Sequence, residues 1–363
     1  MPPNPNKIQQ LRFGTLNVQN LQLPGAPMYS GKTIDAKTYE AKIRWLAAMV
    51  KRMDAHFMTF QELWSPQCLH DIFSEAGLTD DYRLATELKP PEIGTGISVA
   101  LAAKKLIKIG RKKWATNFPS ELKLVKRKPK TDENETDYEM AVDIQRFSRG
   151  VLVTKLELEG RPAIHLFGAH LKSKLPMRLD IEESGKAAVR RHSEAIGAAL
   201  ATIRRTAEAA ALRVMVRNQQ ERTPDEAIVV MGDLNDTTYS NTTAIISGQP
   251  KFRLFARSGM RDNASGLYSV GLMQDLASFR DTAYTYVHNG ERESLDHILV
   301  SQHFYDYSRQ RSWTFRRMEV FNDHLDERLR IENEKTAAAK LQKNTLSDHA
   351  AIVACFDYGR LKS

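Results

Sequence analysis

Cysteine is almost absent: Cys68 and Cys355 are the only two in 363 residues. A disulfide framework is therefore excluded as the source of stability, and a thiolate metal site lacks a ligand set. Two ordinary reduced cysteines fit a cytoplasmic setting, and Cys355, inside the apolar run Ala350–Phe356, is expected in the core. Long hydrophobic runs are missing too. The most apolar helical segment, around residues 195–216, is interrupted by Arg204, Arg205, Glu208 and Arg213, so no membrane span is expected. The opening residues, Met1-Pro-Pro-Asn-Pro-Asn-Lys7, lack the apolar centre of a secretion signal. No internal repeat, low-complexity tract or Gly/Ser-rich linker marks a domain boundary, and one domain over 1–363 is expected.

What is present is the balance of a globular protein, 42% hydrophobic and 27% charged, enough apolar material for a sizeable core. The formal charge of +9 favours an anionic partner. Its distribution is uneven. Residues 104–130 carry 11 Lys/Arg against the single acid Glu121, and residues 131–143 then carry six acids and no base. The two blocks either neutralise each other in an exposed hairpin, or the basic one tracks a phosphate backbone, with Trp114 and Phe118 available for stacking. Residues 104–143 and 303–345 hold no recognisable motif and are expected to be insertions or arms.

Strand-like runs recur at Leu11–Asn17, His56–Gln61, Gly96–Ala102, Val151–Leu158, Ala163–Leu171, Ala227–Asp233, Ser294–Ser301 and Ala350–Phe356. Residues 36–53 place Ile43, Leu46, Ala47 and Val50 on one stripe of an amphipathic helix, with Lys and Arg opposite. Residues 182–220 predict one long helix or two joined ones, and the charged 323–343 a solvent-facing helix or arm. Some strands alternate with helices, whereas 151–158 and 163–171 are joined through Glu159-Gly160 as a hairpin. Mixed sheets with outer helices fit this order better than a purely parallel sheet.

Polar residues gather at the ends of these runs. Ala227-Ile-Val-Val-Met-Gly-Asp-Leu-Asn235 is the most informative: a buried-strand pattern stops at Gly232, and Asp233 and Asn235 point to one side if the extended geometry persists. Taken alone, this is equally a strand ending in an Asx-turn. Similar clusters are Asn17, Gln61-Glu62, His170 with Lys172, Asp296-His297 and Ser347-Asp348-His349. Each has a plain alternative as a turn, cap, core or surface residue. Oxygen ligands with histidines and no cysteine suit Mg²⁺ or Mn²⁺ better than Zn²⁺, and open α/β sheets place their sites at strand ends.

The ordered series Asn17, Gln61-Glu62, Phe147-Ser-Arg149, Gly168-Ala-His170, Gly232-Asp-Leu-Asn235, Asp296-His297 and Ser347-Asp-His349 resembles the endonuclease/exonuclease/phosphatase superfamily. The resemblance spans residues 11–356. It implies an α/β (α+β) fold, a four-layer α/β/β/α sandwich of two mixed, mainly antiparallel sheets. It also implies a hydrolase of phosphate esters that needs a divalent ion, Mg²⁺ or Mn²⁺ with Ca²⁺ a further candidate. In that case Glu62 is the principal metal ligand, with Asn17 and Asp348 near the same ion. His349 pairs with Asp296, and the pair either activates water or donates to the phosphate. Asp233 and Asn235 orient the water and bind a phosphate oxygen or second metal, and His170 donates to the scissile phosphate or protonates the leaving group. Arg149 resembles a phosphate-contacting arginine of the DNase I branch, and Lys172 aims at the same phosphate unless simply solvated. In that branch the histidine matching His170 is paired with a glutamate, for which Glu92 is the nearest candidate by order. Nucleic acid is the expected substrate; a small-molecule or lipid-headgroup phosphate and a catalytically silent binding module are the alternatives.

Overall fold

Period-two alternation shapes the first strand: Leu11, Phe13 and Thr15 turn to one side, Leu16 and Val18 to the other, and all five are buried. A strand buried on both faces must lie inside a layered structure, and the rest of the chain supplies the layers. The computed structural model describes residues 7–88, 96–126, 140–180, 187–252, 265–278, 284–288, 290–331, 334 and 336–359. The first part of the chain forms β1 (Gln10–Leu21), α1 (Ala36–Met53), β2 (Phe57–Leu63), α2 (Pro66–Glu75), β3 (Tyr82–Ala85), β4 (Ser98–Lys104), β5 (Ile107–Ile109), β6 (Lys113–Asn117), β7 (Val125–Lys126), β8 (Met140–Ala141), β9 (Arg146–Leu158) and β10 (Ile164–His170). There follow α3 (Ala187–Arg191), α4 (Ser193–Arg222), β11 (Ala227–Asp233), α5 (Asn241–Ser247), β12 (Tyr268–Ser269), α6 (Val270–Ala277), β13 (Tyr286–His288), β14 (Glu291–Glu293), β15 (Asp296–Val300), β16 (Trp313–Phe321), α7 (Asp323–Ile331), α8 (Ala337–Thr345) and β17 (Ala351–Tyr358).

One sheet has the order β16-β17-β1-β2-β4-β3 and the other β12-β15-β11-β10-β9-β5, with β6 also paired to β9. Each sheet is mixed: β1–β2 and β10–β11 are parallel, and the other pairings in the two sheets are antiparallel. Leu11, Phe13, Phe57, Leu101, Leu152, Leu166, Val229, Met231, Ile298 and Phe356 interdigitate in one core between the sheets. The opposite face of the first sheet packs on α1 and α2, where Leu16, Phe60, Leu46, Val50 and Phe73 cluster. The opposite face of the second packs on α4 and α5 through Phe167, Val230, Leu212, Val216 and Ile246. These three apolar layers make the four-layer sandwich of two mixed sheets.

The helix over 36–53 forms as the apolar spacing dictates, started by Asp35, whose carboxylate accepts from the Thr38 N–H at 2.7 Å. The 182–220 pattern resolves into α3 and α4, residues 181–186 lying outside the described residues. The charged stretch 323–343 is not wholly solvent-facing: it forms α7 and α8, which bury Leu325, Ile331 and Ala339. Phe147-Ser-Arg149 lies within β9 rather than ahead of a strand, because β9 pairs with β6 as far back as Arg146. Trp114 is not free for stacking: its indole donates to Val99 O at 2.7 Å, and Phe118 packs edge-on against Phe147.

Backbone approach is tightest at Gly232. Its φ is +142°, and an added Cβ would lie 2.0 Å from Ala169 O on the parallel neighbour β10. Gly232→Ala is expected to lower stability by at least about 2 kcal/mol, combining a clash with a glycine-only conformation. Urea unfolding of the variant checks this; an unchanged midpoint would show that β10 and β11 can separate freely at this point.

Candidate active site

The inward stripes that build the core also deliver the polar residues. Along β1 the stripe Leu11, Phe13, Thr15 continues to Asn17; along β10, Ile164, Leu166 and Gly168 continue to His170. Along β11, Ala227, Val229 and Met231 continue to Asp233, and β15 begins its stripe with Asp296. Pairing aligns them, since His170 is the register partner of Asp233 and Asp233 that of Asp296. The candidate site is thus the last layer of the intersheet core, with polar groups where the layers beneath are apolar.

Glu62 lies on the other parity and arrives differently. Its φ is +67°, a left-handed conformation that breaks the alternation after Gln61 and brings the carboxylate beside Asn17. Asn17 Nδ2 donates to Asp233 Oδ2 at 3.0 Å and to Glu62 Oε1 at 3.2 Å, while its Oδ1 accepts from the Gln19 N–H at 2.9 Å. The Gln19 N–H fixes which end of the amide is oxygen, so the nitrogen faces the two carboxylates. His170 Nε2 lies 3.5 Å from Asp233 Oδ2 and 3.9 Å from Glu62 Oε1; it is buried without a hydrogen-bond partner. Asp233 Oδ1 accepts from the Asn235 N–H at 2.8 Å, and Asn235 is left-handed at φ +54°, so the extended geometry ends and an Asx-turn forms. The Asn235 side chain turns aside and donates to Leu171 O at 3.0 Å.

His349 and Asp296 are hydrogen-bonded, with Nδ1 to Oδ2 at 2.8 Å, and His349 Nε2 lies 3.8 Å from Asp233 Oδ2. Burial pushes the His349 imidazolium down, yet the charges of Asp296 and Asp233 override it and hold the group well above the usual histidine range. His170 moves the other way: burial, then the nearby Arg149 and His349 charges, hold it well below that range and keep it neutral. Burial pushes Asp233 up to about 7; His349 opposes the shift, and Asp296 and Glu62 add to it. Asp348 is half-buried, and its charge acts on His349, Tyr286 and Lys42. Burial pushes the Lys42 ammonium down to about 8 against the pull of Asp348 and Glu62.

Arg149 and Lys172 stand to one side. Arg149 Nη1 donates to Leu171 O at 2.6 Å, and Lys172 Nζ turns onto its own loop, donating to Ser173 O and Leu175 O. Burial lowers the Lys172 pKa, Arg149 and Arg205 lower it further, and the buried Glu208 opposes the shift. Glu92 lies outside the described residues.

Several further residues support the site, all but Ser347 outside the motifs of the sequence. Glu208 of α4 is fully buried and accepts from the Ser148 N–H and the Lys172 N–H, both at 2.8 Å, tying β9 to the loop after β10. Its only sequence signal is its place on the helix stripe Ala201, Arg205, Glu208, Leu212. Thr285 Oγ1 accepts from the N–H groups of Leu295 and Asp296 at 3.0 and 3.1 Å. Ser347 Oγ donates to Asn17 O at 2.7 Å and accepts from the His349 N–H at 3.1 Å, joining the two strands that flank the site. His324 Nε2 contacts His349 O at 3.0 Å, and the Tyr286 ring lies 5.0 Å from the His349 ring.

The donor set fits a hard divalent cation. Buried acids crowd together, Asp233 is driven toward neutrality, and Asp296 Oδ1, like His170 Nε2, is buried without a partner. Among the described residues, ligand atoms of Asp233, Asp296 and His349 lie within 4.8 Å of one another, and the charges of Glu62 and Asp348 both act on Lys42. In the first group His349 Nδ1 is hydrogen-bonded to Asp296 Oδ2, which leaves Nε2 facing Asp233.

The two-sheet sandwich and a site of acids and histidines at its strand ends define a class of hydrolytic α/β proteins. Within that class the chain belongs to the Endonuclease/Exonuclease/phosphatase family, whose pattern matches residues 14–349. Solved structures share the fold at low identity. A Caenorhabditis elegans TDP2 structure is 14% identical with a TM-score of 0.52, covering 98% of this chain and 78% of that one. TDP2 of D. rerio complexed with single strand DNA product is 15% identical at a TM-score of 0.52, covering 96% of this chain and all of that one. The human Nocturnin catalytic domain with bound sulfate anion is 13% identical at a TM-score of 0.50, covering 97% and 95%. No curated protein matches the sequence. Among the described residues no helix is long and apolar enough to cross a membrane.

Two expectations follow from the electrostatics. Asp296→Asn removes a charge that keeps His349 protonated, and its pKa should fall; histidine-resolved NMR titration reads this, and an unmoved resonance would refute the pairing. Asp233 titrates higher folded than its ordinary 3.8, so its contribution to stability is full below that value and is lost as pH rises through about 7. The metal-free wild type should therefore lose more melting temperature between pH 5 and pH 8 than Asp233→Asn does. Parallel calorimetric curves would contradict it.

Proposed function

We propose that the protein is a divalent-metal-dependent phosphodiester hydrolase, a nuclease acting on DNA and, in second place, RNA. The observation that carries this reading is the opposition of two histidines around Asp233: His349 held charged by Asp296, and His170 held neutral with Nε2 free. A phosphate between them meets a fixed donor on one side and a neutral imidazole on the other.

Glu62 and Asp348 are the residues that would hold Mg²⁺ or Mn²⁺, with Ca²⁺ a further candidate, and Asn17 orients Glu62 against Asp233. A bound ion supplies a Lewis acid for the phosphoryl oxygen. His349, kept protonated, donates through Nε2 to a phosphate oxygen and stabilises charge that grows in the transition state. Asp233, pushed up to about 7, is poised to orient the attacking water and take its proton, with Asn235 fixing the turn that aims it. His170 donates from Nε2 to the leaving oxygen in the tautomer that carries its proton there. Arg149 and Lys172 form the positive corner that receives a neighbouring phosphate, where a guanidinium gives planar two-point contact.

The net charge of +9 and this corner favour a polyanion over a lone monoester. The relative from D. rerio complexed with single strand DNA product supports the same choice.

Purified protein should nick plasmid and degrade single-stranded DNA with Mg²⁺ or Mn²⁺, not with EDTA, and the activity should weaken steeply with salt. His170→Ala or Asp296→Ala should lower kcat by about 10²–10⁴-fold. Intact DNA and RNA at low salt would overturn the nuclease reading; phosphate released from phosphorylated small molecules would then select a phosphatase. Cleavage retained by both variants would move the chemistry to another site.

A further inference from the structure

The inter-strand register of β1 slips between Asn17 and Leu21, and the two residues in that slip, Gln19 and Asn20, are left-handed at φ +53° and +49°. Left-handed non-glycine residues are strained and persist only where their surroundings over-determine them. Here the bend is held from several directions. Gln19 O accepts from Lys42 Nζ at 2.6 Å, Gln19 Oε1 from Arg328 Nη1 at 3.1 Å, and Asn20 Oδ1 from the Trp64 indole at 3.0 Å. Its inner side carries the acid: the Asn20 N–H donates to Glu62 Oε2 at 2.8 Å, and the Gln19 N–H to Asn17 Oδ1 at 2.9 Å.

Lys42 is the unusual member. It sits on the buried stripe of α1 with Tyr39, Ile43 and Leu46, only 5% exposed, where a charged ammonium is expensive unless it is bound. Arg328 reaches the same bend from α7, inside the motif-free 303–345 segment, and is itself fixed by Lys343 O and Leu346 O. Lys42 grips the backbone, and Arg328 the side chain, of the residue next to the one that donates to Glu62.

We infer that Lys42, assisted by Arg328, is a positioning residue for metal binding: it locks the Gln19–Asn20 bend, which in turn aims the Glu62 carboxylate at the cation. The inference rests on the reading of Glu62 as a metal ligand. Supporting partners of ligating carboxylates change metal affinity by about 10–100-fold when removed.

The test is Mn²⁺ binding to the metal-free full-length protein, followed by calorimetry and by the loss of free-Mn²⁺ paramagnetic signal, with melting curves as the folding control. Lys42→Met should weaken binding by about 10–100-fold and Arg328→Met by a smaller factor. Because Lys42 acts through Glu62, the double variant Lys42→Met/Glu62→Gln should bind no more weakly than Glu62→Gln alone. A folded Lys42→Met that binds Mn²⁺ like wild type overturns the inference, as do fully additive losses. If Lys42→Met does not fold, Arg328→Met decides, and unchanged affinity there overturns it. If Glu62→Gln leaves Mn²⁺ binding intact, the reading of Glu62 as ligand fails first and the inference falls with it, whatever Lys42 does.

Discussion

The site depends on one enforced closeness, two carboxylates set side by side by strand register. Asp233 and Asp296 are Cα partners across β11 and β15, both buried, and neither can move away without unpairing the sheet. Like charges so placed repel strongly at low dielectric, and something must neutralise them. The proton on His349 does part of this, Asn17 donates to Asp233, and Asp233 rises toward neutrality for the remainder. Strand pairing thus supplies the electrostatic stress from which the acid–base character arises. The cost is spread through a core whose apolar layers have no part in it.

Much of this was legible in the chain. The strand over Ala227–Asp233 and the helix over 36–53 have the bounds their patterns predict, because each is set by strong periodicity and clear stops. The parity rule carries further than element boundaries, since Leu11, Phe13 and Asn17 share one face and the core pattern already points the asparagine inward. Departures occur where the backbone leaves regular geometry. Asn235 was expected on the same side as Asp233, and its positive φ turns it to Leu171 O instead. Glu62 has the wrong parity for the site and reaches it only through a left-handed residue. Trp114 looked available beside many lysines, yet its neighbours across the sheet were not written in the local sequence.

Long-range supports were the least visible. Glu208 sits in an Ala-rich helix whose apolar stripe is weak, and only the folded chain shows that it ties Ser148 to Lys172. The sequence pattern puts the lysines and arginines of 36–53 opposite the apolar stripe, whereas Lys42, spaced with Tyr39, Ile43 and Leu46, lies on the buried face. A charged residue at an apolar helical position is a signal that sequence does contain, and it points to a specific partner inside the fold.

The position of β17 has a consequence for when the protein becomes competent. This strand lies between β1 and β16, so a late segment becomes an inner strand of a sheet begun by one of the first segments. His349 directly precedes it, and Ser347 closes onto Asn17. During synthesis, β1 and β2 emerge long before the strand that lies between β1 and β16, and His349 emerges after the Asp296 it pairs with. Until the segment around His349 has been made, the acids of β11 and β15 lack the histidine that pairs with Asp296.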